Sequence, residues 1–312
     1  MARALLDSKM VDCVIAFVKG TGPDDLRVAF ISNPEDAAQV IPATLNPYSM
    51  TRLLRDYAEG NAAVIGRTCD VRAVIELRKR NRLPGEVYTI GVTCSDLKSL
   101  PGVLRSNCQR CDERVPVMAD VSCVLLDGVT AVEAATDKGT AILATGSFVV
   151  HDAAEDEAQV LAAMETELDT ARNQKAKDFK LLQMPLSVRF EFWFSQFDKC
   201  IKCYGCRTSC PIYYCKDCVL DADRGVVPAG EMPASRMYHL TRLAHVGDSC
   251  INCGSCEAAC PVQIPISKLY HMAQTELGQI FKYRPGYDDA RMPLTLFAAA
   301  ELGDGRTDIK GR

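Results

Sequence analysis

Apolar and polar positions follow two different rhythms along this chain. In the first half, short β-rich apolar runs (Val14 to Val18, Val28 to Ile31, Ala63 to Ile65, Val87 to Val92, Val121 to Leu126) alternate with stretches of helical spacing at Ser49 to Glu59 and Cys69 to Arg80. This pattern predicts an α/β or α+β domain over residues 1–153. From about Glu155 the rhythm becomes that of one sustained helix, with Leu161, Met164, Leu168 and Ala171 on one face and Pro185 at its end. Residues 154–186 therefore read as a connecting helix. Beyond it, over 187–284, Met237, Leu240 and Ala244 share a helical face that Gly247 would cap, and Ile266, Leu269, Ala273, Leu277 and Ile280 line another. A mainly α-helical domain is expected here, and the polar tail 285–312 is expected to drape over a neighbour or fray.

The length of 312 residues is in keeping with two domains, and a hydrophobic fraction of 48% with folded globular ones. Thirty-six basic against 40 acidic residues, without long single-sign runs, leave no footprint for nucleic acid or an anionic membrane. No apolar run approaches the roughly 18 residues of a spanning helix, and Met1 to Asp7 lack the apolar core of a signal peptide. A cytoplasmic protein is expected. In that reducing compartment its 16 cysteines are metal ligands or reactive thiols rather than disulfides.

Their spacing decides between these. Cys200, Cys203, Cys206 and Cys210 precede Pro211, and Cys250, Cys253, Cys256 and Cys260 precede Pro261, so both runs read C-x2-C-x2-C-x3-C-P. Three closely spaced thiolates hold three irons of one cubane, and in two-cluster ferredoxins the fourth cysteine reaches the other cluster. The expected ligand sets are thus Cys200, Cys203, Cys206 and Cys260 for one 4Fe-4S cluster and Cys250, Cys253, Cys256 and Cys210 for the other. Structural zinc sites use two separated ligand pairs and call for neither a third cysteine nor a trailing proline. The stretch Ile212 to Ser249 between the motifs exceeds a hairpin link, which favours an all-helical ferredoxin architecture over the β-containing form. Four thiolates saturate each cubane, so such clusters pass single electrons and bind no substrate. Cys215 and Cys218 are open between thiols beside a cluster, a small zinc site and packing groups.

In the first domain a strand runs into Gly66-Arg67-Thr68-Cys69 and a helix, where terminal amides would favour a thiolate. Cys94 follows the Val87 to Val92 strand, and Cys108-Gln109-Arg110-Cys111-Asp112 supplies two more thiols, so the four can converge on one metal. Ala63 to Cys69, Ile90 to Cys94, and Cys108-x2-Cys111-Asp112 leading to Ala119-Asp120-Val121 resemble the β-subunit family of deazaflavin (coenzyme F-420)-dependent hydrogenases and formate dehydrogenases. Its formate dehydrogenase branch also resembles the second half, through Trp193, Cys200 to Arg207 and Cys250 to Gly254. The resemblance implies a third 4Fe-4S cluster on Cys69, Cys94, Cys108 and Cys111, with Cys13 and Cys123 left as packing residues.

Family members carry a further glycine-rich N-terminal segment that helps hold FAD and the deazaflavin, and this chain is expected to start after it. Thr68 replaces the family's proline, and Cys123 stands where a glycine would let the backbone approach a flavin, both of which count against bound FAD. No G-x-G-x-x-G turn or G-x4-G-K-[ST] loop replaces it. His239 and His245 read as cluster neighbours or surface groups rather than ligands, and Trp193 with Phe190, Phe192, Phe194 and Phe197 as packing at the domain junction. The chain is therefore expected to be an electron carrier rather than an independent catalyst. What the resemblance implies is a relay subunit between a formate dehydrogenase or hydrogenase catalytic subunit and a heterodisulfide-reductase-like flavoprotein. The alternative is an FAD enzyme exchanging hydride with a deazaflavin or nicotinamide, and a zinc scaffold is the remaining one.

Overall fold

A computed structural model describes residues 1–21, 26–41, 49–54, 60–83, 85–94, 104–125, 130–146, 154–215, 218–221 and 236–294. After a short helix α1 (Ala2–Asp7), the first half builds strands β1 (Cys13–Lys19), β2 (Leu26–Ile31), β3 (Val40–Ile41), β4 (Ala62–Arg67), β5 (Val87–Val92), β6 (Val121–Leu125) and β7 (Thr130–Ala134). They form one mixed sheet in the order β2-β1-β4-β5-β6-β7, with β3 pairing with β1. The β1-β4-β5-β6 core is parallel, and β2, β3 and β7 join it antiparallel. Continuous apolar runs make the central strands: Cys13 to Val18 and most of β4 are buried, as parallel strands covered on both faces must be. β7 is largely exposed and β2 partly so, with too weak an apolar signal for β7 to be read from sequence.

Helix α2 (Met50–Leu53) realises the start of the expected Ser49 to Glu59 helix, whose residues 55–59 lie outside the described ones, as does Leu126. The crossover from β4 to β5 is helix α3 (Thr68–Lys79), in which even Asp70, Arg72, Glu76 and Lys79 are buried. Asp70 pins α2 to the start of α3 by accepting from Ser49 Oγ (3.0 Å), the Met50 N–H (3.1 Å) and Arg67 Nε (2.7 Å). Glu76 accepts from Lys79 Nζ (3.0 Å), Arg80 Nη1 (2.7 Å), Tyr283 Oη (2.7 Å) and the Gly286 N–H (2.8 Å). The segment at 283–287 is thereby clamped onto α3, where Pro285 O also accepts from Arg72 Nε at 2.8 Å. The beginning of the expected tail drapes over its neighbour, and residues 295–312 lie outside the described ones.

From β7 onward the described elements are helical: α4 (Ser106–Gln109) precedes β6, and α5 (Asp137–Ala144), α6 (Ala154–Phe179), α7 (Leu186–Phe197), α8 (Gly205–Thr208), α9 (Arg236–Val246), α10 (Ser255–Ala258) and α11 (Ile266–Phe281) follow. On α6, Met164 and Ala171 are buried, Leu168 is half-buried, and the Leu161 side chain lies outside the described ones. Its end fastens both halves, since Asp178 pairs with Arg110 at 3.5 Å and with Lys268 at 3.3 Å. Pro185 starts α7 after a single 3-10 turn.

The expected face of α9 is wrong. Met237 and Ala244 are exposed, and the buried stripe is Tyr238, His239, Arg242 and Val246. Hydropathy hid this stripe because an arginine and a histidine stand in it. Gly247 adds no left-handed cap, since its N–H donates to Leu243 O at 2.8 Å and merely prolongs the helix. On α11, Ile266 and Leu269 are buried, but Ile280 is 66% exposed, so the stripe stops short of the helix end. Trp193 and Phe197 enter a core that includes Ala73 of α3, Cys200, Ile251 and Cys256, whereas Phe190 remains exposed.

Candidate metal centres

The two cysteine runs fold alike, residue by residue. Lys202 and Tyr204 in the first, and Asn252 and Gly254 in the second, take left-handed backbone conformations (φ 51°, 59°, 54° and 74°). These turns curl each run inward, so that the Lys202 N–H points at Cys200 Sγ (3.4 Å) and the Asn252 N–H at Cys250 Sγ (3.5 Å). A four-residue helix then carries each chain to its last cysteine. Gly254 is required twice over: beyond its positive φ, an added Cβ would lie 2.1 Å from Asn107 Oδ1.

Cys200, Cys203, Cys206 and Cys260 line one cavity. Cys250, Cys253, Cys256 and Cys210 line a second. Each run thus gives three thiols to its own cavity and its fourth to the other. Among the described residues no three His, Cys, Asp or Glu side chains close around a single ion, and the four thiols of each set line a common cavity. Burial pushes the Cys250 thiol up to about 12 and raises Cys200 and Cys253, with neighbouring thiols adding repulsion. Such thiols ionise only against a positive centre, which is what a metal cluster brings. The all-thiol donor sets, four to a cavity, and the inward-facing N–H groups fit 4Fe-4S cubanes.

Cys69, Cys94, Cys108 and Cys111 are brought into one neighbourhood. Each of Cys69 and Cys111 raises or is raised by another member of the set, and burial comes first among the causes, lifting Cys94 to about 12 and Cys111 to about 11. Burial also pushes Cys69 well up, so its place at the start of α3 does not by itself make it a thiolate. This set abuts the second cavity. Arg105 donates from one nitrogen to Cys108 Sγ (3.7 Å) and from another to Cys253 O (3.3 Å), while Asn107 Nδ2 lies 3.6 Å from Cys108 Sγ and 3.1 Å from Asn252 O.

Cys13 and Cys123 are buried in the sheet core, as packing residues should be. Cys218 is buried with Leu220 and Tyr238, and Cys215 packs at the edge of that group. His239 lines the first cavity and stacks on Phe197 with ring centroids 4.4 Å apart, while His245 is exposed. Burial, helped by Arg242, lowers the His239 pKa to about 4, so the ring is neutral. Sequence reading missed Tyr238, Arg242 and Tyr270, which border the cavities. Tyr238 and Arg242 were legible only as an i, i+4 pair on α9, and Tyr270 stands 20 positions beyond the second motif's start. Thr68, at the family's proline position, gives its hydroxyl to Arg114 O at 2.8 Å. Among the described residues no helix is long and apolar enough to cross a membrane.

Residues 196–264 match the model of the 4Fe-4S dicluster domain. The chain is similar to the β subunit of F420-dependent formate dehydrogenase 1 of Methanococcus maripaludis, at 29% identity over 93% of this chain and 90% of that one. It is also similar to the F420-dependent formate dehydrogenase β subunit of Methanocaldococcus jannaschii, at 28% identity over 94% of this chain and 92% of the relative. Among solved structures, the F420-reducing [NiFe] hydrogenase complex of Methanosarcina barkeri contains a chain that aligns with a TM-score of 0.46 and 16% identity, covering 59% of this chain and 84% of that one.

Proposed function

We propose, from the premise that this chain belongs to the β-subunit family of deazaflavin-dependent hydrogenases and formate dehydrogenases, that it is an iron-sulfur electron-transfer subunit of a multi-subunit redox complex. Cys200, Cys203, Cys206 and Cys260 hold one 4Fe-4S cluster and Cys250, Cys253, Cys256 and Cys210 a second, within an all-helical domain at 187–284 joined to the sheet domain by the helix at 154–186. Cys69, Cys94, Cys108 and Cys111 hold a third. A bound cubane supplies a one-electron couple and no open coordination position. The observation that carries the reading is the pair of cavities with exchanged fourth cysteines, which only the two-cluster pattern needs.

The three thiol sets follow one another by contact, the N-terminal set against the second cavity through Arg105 and Asn107, and the second against the first through the exchanged cysteines. Cys203 is the exposed thiol of the dicluster region, which makes the first cavity the outward end. In the relay reading a formate dehydrogenase or hydrogenase catalytic subunit is one partner and a heterodisulfide-reductase-like flavoprotein the other, in the cytoplasm.

The FAD-enzyme reading has one observation in its favour. A pocket of about 600 Å³ lined by Arg27, Ser49, Arg52, Ser209 and Ser255 lies beside the cysteine runs, and its volume is in the range of small-molecule sites. Anaerobic titration separates the two. A relay chain is reduced by a one-electron viologen donor and left oxidised by reduced deazaflavin or nicotinamide, with no flavin released on denaturation. Stoichiometric FAD together with cluster reduction by either hydride donor establishes the flavoenzyme instead.

A further inference from the structure

Arg242 is a buried cation without an acidic partner. It is 2% exposed, and among the described residues no carboxylate lies within ion-pair distance of it. Its Nη2 donates to Cys206 O at 2.8 Å, its Nε has no partner, and its guanidinium sits 5.8 Å from the centroid of the Tyr270 ring. A carbonyl and a ring face do not offset a desolvated guanidinium, and such a group is retained in an interior only where a countercharge faces it.

The groups beside Arg242 that would carry negative charge, once they hold clusters, are the thiol sets. It lines the cavity of Cys210, Cys250, Cys253 and Cys256, and through Cys206 O it touches the run that gives three thiols to the other cavity. Its electrostatic neighbours include both Cys206 and Cys210, one from each set. Two phenols accompany it: Tyr238 Oη lies 3.5 Å from Cys206 Sγ, and Tyr270 Oη, on the wall of the second cavity, is buried and unpartnered. His239, by contrast, faces the first cavity.

We propose that Arg242 is a shared electrostatic positioning residue, the buried countercharge of both C-terminal clusters, and that it raises the reduction potential of each. The proposal rests on reading the two cavities as cluster sites. On reduction one electron enters a cubane from an external donor such as dithionite, no bond forms or breaks, and the cluster becomes one unit more negative. A fixed guanidinium between the two sites stabilises that added charge at either one.

The test is an electron-paramagnetic-resonance redox titration of the full chain, purified anaerobically, as wild type, Arg242→Gln and Arg242→Lys, with iron and sulfide counted for each. Iron in the wild type decides the cluster reading separately from the potentials. R242Q is expected to lower the reduced-to-oxidised ratio of both C-terminal clusters about tenfold at a fixed poise, about 59 mV for a one-electron couple, and R242K to restore at least half of that. If R242Q loses its clusters while R242K keeps them, the requirement for charge is likewise supported. The proposal is overturned if R242Q keeps both clusters at unchanged potentials, if only one cluster shifts, or if neither variant retains clusters, since the role is then one of shape.

Discussion

The first and second cysteine runs share a motif, a backbone and an N–H directed at their leading thiol, yet they sit in different surroundings. Ile201 is 41% exposed and Ile251 only 2%, although they occupy the same position in the repeat. The first run faces solvent at Cys203, and the second is covered by Arg72, Arg105, Ser106 and Asn107 from the sheet domain. The same motif thus stands once at the surface and once beneath the neighbouring domain. In the proposed relay the covered site would hand electrons on within the molecule, and the uncovered one would meet a partner.

The sharpest way to break this comparison is to exchange its shared parts. Cys260→Ala is expected to remove the cluster of the first run and Cys210→Ala that of the second, each with loss of about four irons. Electron paramagnetic resonance of the two variants identifies which signal survives, and loss of the second run's signal in Cys260→Ala with loss of the first run's in Cys210→Ala would show that the fourth cysteines do not cross.

A second change loosens the cover over the second run alone. Glu76→Gln strands the buried Lys79 and Arg80 charges and is expected to cost about 3–5 kcal/mol in denaturant unfolding. Burial alone would raise the Glu76 carboxyl, but Arg80 and Lys79 hold it below its ordinary value of 4.5. The clamp therefore contributes fully above that pH and is lost as pH falls through the lowered folded value. Acid unfolding of the wild type should begin with release of the 283–287 segment, seen as new proteolytic cleavage there, while E76Q should show that cleavage at neutral pH. Equal stability of the two proteins would mean that the clamp contributes nothing.

The smallest effect concerns the close approach at Gly254. Gly254→Ala should cost about 1–2 kcal/mol from the left-handed backbone and push Asn107 aside. Amide hydrogen exchange should then rise around residues 105–108 and stay unchanged around Cys200. Increased exchange in both runs would argue against a separately covered second site.

Much of this was legible in the residues. The central strands announced themselves as unbroken apolar runs, and the cysteine spacings grouped the thiols that line each of the two cavities, because motif geometry is local. Strands β3 and β7 were not legible: one has two residues, and the other, Thr130-Ala131-Val132-Glu133-Ala134, carries a single large apolar side chain. Nor was the face of α9, since its buried stripe includes Arg242 and His239, which hydropathy does not mark as interior. Contacts such as Arg105 to Cys253 join residues 148 positions apart, and no local pattern carries them.

What the two cavities hold separates an iron-sulfur protein from a zinc scaffold. Iron, acid-labile sulfide and zinc should be counted per chain on protein purified without oxygen. About eight irons with matching sulfide are predicted for the C-terminal sets, rising to about twelve with the set on Cys69, Cys94, Cys108 and Cys111. Zinc in place of iron would contradict the iron-sulfur reading.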